Sequence, residues 1–195
     1  MSRNVLAVIG AVICLVLIGC SDTTNINNTN SNTNTTNTNR TASPSPARSA
    51  TLTESDRNFL MEAAQGGMAE VELGRLASQK AQNPEVKRFG ERMVTDHSKA
   101  NGELKQLATQ KGVTLPTDLG AEQKQEMDRL SKLSGAAFDR EYMKLMVEDH
   151  DKDVKAFQDE ANRATDPDVR SFASKILPII QEHQKMAHDI AAKLK

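Results

Sequence analysis

The sequence predicts an all-α fold: a four-helix bundle built from two helical hairpins, joined by a long crossover that holds a short extra helix. Three observations carry this reading. From about Thr51 onward apolar residues recur at alternating steps of three and four, the period of one helix face, and no stretch shows the strict alternation of a half-buried strand. Two segments, Asn83-Pro84-Glu85-Val86-Lys87-Arg88-Phe89 and Asp166-Pro167-Asp168-Val169-Arg170-Ser171-Phe172, match in kind at nearly every position. Each places a capping side chain before a proline whose missing N–H would have had no helical partner anyway, so each opens the second helix of a hairpin. Between the two pairs, Thr114 to Gly135 is long enough to run the length of a bundle, which favours a crossover over a simple up-down-up-down chain.

The elements follow in order. Thr53 and Asp56 have the spacing of a capping box, and the first helix runs from there to about Gln82. The second begins at Pro84, carries Val86, Phe89, Met93, His97, Ala100, Leu104 and Leu107 on one stripe, and ends at Lys111-Gly112. The connection contains Pro116 and an amphipathic piece around Met127, Leu130 and Leu133. A long helix from about Ala136 to Ala164 presents Met143, Met146 or Val147, His150, Val154, Phe157, Ala161 and Ala164 on one face. The last helix starts at Pro167 and turns Val169, Phe172, Ile176, Ile179, His183, Met186 and Ile190 inward; Pro178 is expected to bend it by removing one backbone bond.

Ahead of this domain lie two segments of different character. Arg3 is followed by almost unbroken apolar sequence from Val5 to Ile18, then Gly19 and Cys20, the pattern of an export signal too short to span a membrane. Leu17-Ile18-Gly19-Cys20 resembles the lipobox of bacterial lipoproteins. The resemblance implies cleavage before Cys20 and acylation of that residue, which would hold the chain on a bilayer. Ser21, in place of an Asp, favours the outer membrane, facing the periplasm of the cell envelope. Residues 1–19 are then the signal peptide, 20–50 a lipidated Cys and an Asn/Thr-rich tether too polar to fold, and 51–195 the bundle. Cys14 leaves with the signal and Cys20 is consumed by lipid, so the folded part has no thiol for a disulfide, a thiolate site or a nucleophile.

A formal net charge of −1, no Trp, one Tyr and no basic stripe argue against nucleic acid as a partner. Gly-rich phosphate loops and nucleophile elbows are absent from the sequence. Apart from the membrane, reached through the N-terminal lipid, no protein or small-molecule partner can be named. Met93-Val94-Thr95-Asp96-His97 and Met146-Val147-Glu148-Asp149-His150, with Glu70-Val71-Glu72-Leu73-Gly74 and the stretch from Leu177-Pro178 to His183, resemble a family of bacterial exported proteins. That family is known mainly as a domain of unknown function with an expected ferritin-like fold, often attached to a lipoprotein signal. The resemblance implies a ferritin-like bundle and an envelope location, and the family has no settled activity to carry over.

The chemistry therefore rests on the polar groups of the core. Of the four His, three fall on the apolar faces of different helices: His97, His150 and His183. His97 lies 13 residues after Pro84 and Glu70 14 before it, while His150 lies 17 before Pro167 and His183 16 after it. With the two turns at opposite ends, both levels come close to mid-bundle. The metal reading takes Glu70, His97, His150 and His183 as ligands, with Asp96, Asp149 or Glu72 as carboxylates supporting them. The ion would be Fe, Mn, Zn or Cu. Met93, Met146 and Met186 share helix faces with the three His and would add soft thioether ligands suited to copper, although Met at such spacing also serves as core filling. A di-iron site would need Glu where Val94 and Ile180 stand, so its bridging carboxylates are missing. The structural alternative is a buried hydrogen-bonded cluster that sets helix register. Two functions follow: a tethered, non-catalytic binding bundle, or a metal-dependent oxidoreductase or peroxide-handling protein on a degenerate ferritin-like site.

Overall fold

A computed structural model describes residues 52–194, so the signal segment, Cys20 and the tether lie outside the described residues. The elements are five helices: α1 Glu54–Lys80, α2 Pro84–Lys111, α3 Ala121–Ser131, α4 Gly135–Arg163 and α5 Pro167–Ala191. Among the described residues there is no strand, and no helix is long and apolar enough to cross a membrane.

Local chemistry explains the boundaries. The Thr53 hydroxyl accepts from the Asp56 N–H at 3.1 Å and the Asp56 carboxylate accepts from the Thr53 N–H at 3.0 Å, a closed capping box. Asn83 accepts from the Glu85 N–H at 2.7 Å, and Asp166 from the N–H groups of Asp168 and Val169 at 2.9 and 3.2 Å. α2 stops at Gly112, whose φ of 66° is the left-handed conformation that glycine adopts without a Cβ clash. Pro178 lies exposed within α5, which continues through it.

Contacts between the hairpins give the topology. Lys111 at the end of α2 pairs with Asp166 and Asp168 at the start of α5, at 2.6 and 2.7 Å, and Lys193 beyond α5 pairs with Glu85 at the start of α2, at 3.0 Å. These helices are therefore antiparallel neighbours. Near the start of α4, Asp139 accepts from the N–H groups of Gln82 and Asn83 in the α1–α2 turn, at 3.0 and 2.8 Å. Near the start of α1, Asp56 accepts from the Thr165 N–H in the α4–α5 turn at 3.2 Å. Thus α1 and α4 are antiparallel too, the hairpin turns sit at opposite ends, and the helices run up, down, down, up. The segment after Gly112 crosses from one end to the other and carries α3, whose Leu130 is completely buried. Each hairpin's turn is held by an aspartate near the start of the other hairpin, so the likeness of the two turn sequences extends to how the turns are held.

The apolar core has two parts. One gathers Leu73, Phe89, Met93, Phe138, Tyr142 and Met146; the other gathers Leu60, Leu104, Phe157, Phe172, Ile176 and Ile180. On each long helix one buried polar residue lies between them: Glu70, His97, His150 and His183. α1 and α2 touch through glycines, since a Cβ on Gly90 would stand 2.7 Å from that of Ala77, and one on Gly74 2.6 Å from the Gly90 carbonyl oxygen. On α5 the structure corrects the expected face. Ile180 and Ala187 are buried, whereas Ile179 and Met186 are only half-buried, because the stripe steps Phe172, Ile176, Ile180, His183, Ala187, Ile190. On α4 likewise Glu160 is buried where Ala161 was expected, and Val154 is half-buried.

Asp139→Ala should remove the partner of two turn N–H groups and lower the unfolding free energy by about 1 to 3 kcal/mol in urea denaturation, with Asp139→Asn falling between it and wild type. An Ala variant as stable as wild type would mean that the turn is held by other contacts.

Candidate metal centre

His97 comes from α2, His150 from α4 and His183 from α5, and their side chains meet in the interior at 7%, 0% and 0% relative exposure. Ring centroids are 5.3 Å apart for His97 and His183, 5.6 Å for His150 and His183, and 6.0 Å for His97 and His150. Each ring offers one nitrogen to a set lying within 4.8 Å of one another. Metal–nitrogen bonds of about 2 Å put ligand nitrogens about 3.3 Å apart in a tetrahedral shell, so side-chain rotations of order 1 Å would close this triangle on one ion.

The hydrogen bonds assign the protons. His150 Nδ1 lies 2.8 Å from the Met146 carbonyl oxygen, which can only accept, so Nδ1 carries the hydrogen and Nε2 is bare. His183 Nε2 lies 2.9 Å from Asp96 Oδ2. Asp96 is a carboxylate: burial alone would raise its pKa, but hydrogen bonds from Arg92 and His183 outweigh burial and lower it. His183 therefore donates through Nε2 and leaves Nδ1 bare. Three buried ring nitrogens have no protein partner: His97 Nε2, His150 Nε2 and His183 Nδ1. Burial, reinforced by the neighbouring imidazoles, pushes the His97 pKa down to about 3. Burial outweighs the Met146 carbonyl and takes His150 to about 4, and burial also lowers His183. All three rings are neutral at pH 7 and each keeps a lone pair, the form in which imidazole binds metal.

The other expected residues divide. Asp96 holds His183 and is itself held by Arg92, which also reaches Glu182 at 3.2 Å. Glu70 is buried and level with the rings, but its Oε1 lies 3.7 Å from His150 Nδ1, the nitrogen already given to Met146, and its Oε2 has no partner. Burial, with Asp153 and Asp149 nearby, raises the Glu70 pKa well above 4.5, and the His150 ring it faces is neutral, so the 3.7 Å approach is not a charged pair. Glu70 is not one of the converging groups. Asp149 is half-buried, its pKa raised to about 6 chiefly by burial, and it lines a groove with Glu70. Glu72 pairs with Arg75 at 3.3 Å. Met93 and Met146 are buried in the core, Met146 meeting His150 through its carbonyl, and Met186 is half-buried.

Three contributors escaped sequence reasoning. Arg92, four residues before Asp96, was legible as a helical charge pair. Asp153 and Gly66 line a cavity of about 30 Å³, room for one or two waters, beside Asp96, His97 and His183. The only signal for Gly66 was a Gly-Gly pair in mid-helix.

A family described as a domain of unknown function, DUF4142, matches residues 41–190. No curated protein matches. Solved structures of similar fold include a DUF305 fragment from Deinococcus radiodurans, with a TM-score of 0.64, 15% identity, 73% of this chain and 98% of that chain covered. A DUF305 protein from Streptomyces coelicolor, a candidate secreted protein, has a TM-score of 0.62 at 17% identity, covering 72% of this chain and 92% of its own. CopM in its Cu(II)-bound form has a TM-score of 0.61 at 20% identity, covering 72% and 97%. At these identities the likeness is one of fold, the all-α helical bundle.

Below the ordinary imidazole value of 6.5 the unfolded chain takes up protons that buried His97 and His150 refuse until about pH 3 and 4, so their contribution to stability falls as pH drops through this window. Each ring should cost about 1.4 kcal/mol per pH unit there. Urea denaturation at pH 7 and 5 checks this: His97→Gln should have a shallower pH dependence than wild type by about one proton, and an equal slope would mean that the ring is charged in the fold.

Proposed function

Because the chain belongs to the DUF4142 family, whose function is not assigned, its activity must be argued from its own site, and we propose that it is an exported transition-metal-binding protein with His97, His150 and His183 as ligands. One observation carries this reading: three neutral imidazoles meet in a buried interior, and each leaves a nitrogen without a partner. A purely structural polar core would satisfy those lone pairs with donors, since a buried unsatisfied group costs about 1 to 3 kcal/mol. A cation held by the three rings would give each of them a partner. Asp96 on His183 and the Met146 carbonyl on His150 supply the outer hydrogen bonds that orient metal-bound imidazoles and raise their basicity.

Copper is the first choice of ion and zinc the second, from the preference of imidazole sites along the divalent series. A copper-bound protein among the fold neighbours supports the same order. The role is binding rather than turnover. Val94 and Ile180 occupy the positions where a di-iron oxidase would need carboxylates, and neither residue can bridge metals. In this proposal Cys20 is acylated, residues 20–50 form the tether, and the bundle is held at the outer membrane, facing the periplasm. The apolar run before Cys20 and a candidate secreted protein among the fold neighbours support export.

The purified protein should take up one Cu²⁺ or Zn²⁺ in titration calorimetry, and saturating metal should raise its melting temperature. His97→Ala, His150→Ala and His183→Ala should each abolish that rise, and Glu70→Gln should retain it. A wild-type chain whose stability does not respond to either ion would overturn the metal reading. For the anchor, mass spectrometry of the protein from its membrane fraction should find Cys20 acylated and N-terminal, and an unmodified Cys20 would refute it.

A further inference from the structure

A groove of about 310 Å³ is lined by residues of α1, α3 and α4. Its walls carry Glu62 and Glu70 from α1, Glu122 and Glu126 from α3, and Asp149 and Asp153 from α4. Lys152 is the one cation on those walls among the described residues. Clustered carboxylates alone would be a solvated surface, but this cluster continues inward. Glu70, 3% exposed, lines the groove with Oε2 unpartnered, while its Oε1 stands 3.7 Å from His150. Gly66 and Asp153 border both the groove and the small cavity beside His97 and His183.

Gly66 is unusual in its own helix. A Cβ there would meet nothing within 4 Å, whereas one on Gly67 would collide with Asn101 Oδ1 at 2.1 Å. Gly67 thus faces the Asn101 side chain, while no neighbour accounts for Gly66, although glycine is among the poorest helix formers. Its position supplies a reason, since Gly66 lines both the groove and the cavity and a larger side chain there would stand at the border of the two.

We propose that the acidic groove is the cation entrance of the three-histidine pocket, with Gly66 and Asp153 forming the passage between them. The inference rests on reading that pocket as a metal centre. A lined acidic cleft concentrates hydrated divalent cations by its field. Oxygen ligands hold a copper or zinc ion less tightly than imidazoles do, so the ion moves inward. Among the described residues the groove carboxylates do not close into a ligand set of their own, which suits transit rather than storage.

Loading can be followed in the purified protein by stopped-flow mixing with Cu²⁺, which quenches the emission of the single tyrosine, Tyr142, in a protein without tryptophan. Gly66→Leu should slow loading at least tenfold while reaching the wild-type stoichiometry. Gly102→Leu, at an exposed α2 glycine whose added Cβ also meets nothing within 4 Å, should load at the wild-type rate. Asp149→Asn with Asp153→Asn should slow loading and weaken its dependence on salt, and decides the matter if the Gly66→Leu variant does not fold. Wild-type loading rates in the Gly66→Leu and the paired Asn variants would overturn the entrance while leaving the metal centre standing. Absence of Cu²⁺ uptake by wild type would overturn both.

Discussion

The hydrogen bonds from the Gln82 and Asn83 N–H groups to Asp139 are the constraint on which the interior depends. They tie the turn of one hairpin to the first turns of the other, and the bond from Thr165 to Asp56 does the same at the opposite end. Helices packed through apolar side chains alone are free to slide by a turn at modest cost, because Leu and Met adapt. Two buried aspartates at opposite ends remove that freedom. The register they set brings Glu70, His97, His150 and His183 to one level.

At that level the dielectric environment governs the chemistry. Low-dielectric surroundings force the imidazoles to stay neutral, and the hydrogen-bond partners decide which nitrogen of each ring is left. His150 is oriented by its own helix, through a carbonyl four residues back, and His183 by a neighbouring helix, through Asp96 and Arg92. Glu70 obeys the same physics with the opposite sign of charge: its burial favours the protonated acid, so it faces His150 without pairing to it.

Much of this was legible in the sequence because it depends on short-range rules. Capping side chains before Pro84 and Pro167 located both turns, and counting from those prolines placed the three His at one height on inward faces. The crossover followed from the length of the middle connection. What escaped depends on rotation about helix axes and on contacts between distant segments. Choosing Ile179 over Ile180 is an error of one residue, or about 100° of helix rotation, and several steps of three and four fit the same apolar run. Glu70 was correctly placed in height, but only the packed neighbours show that it meets the spent nitrogen of His150. Asp139 was not singled out, since nothing local marks an aspartate that will hold a turn more than fifty residues away. Asp96 was singled out for its place beside His97, yet the ring it holds is that of His183, on another helix.

The three imidazoles are divided unequally between the hairpins: α2 of the first carries His97, and α4 and α5 of the second carry His150 and His183. Gathering them from an extended polypeptide means closing two long loops before all three rings stand together, an entropic barrier that neither hairpin overcomes alone. Such an arrangement distinguishes finished molecules from nascent ones. A chain with a single hairpin formed presents at most two of its three rings together, and the complete grouping comes into being only when the hairpins dock. Order of events is thereby written into the connectivity: docking of the hairpins comes first and the complete trio of imidazoles second.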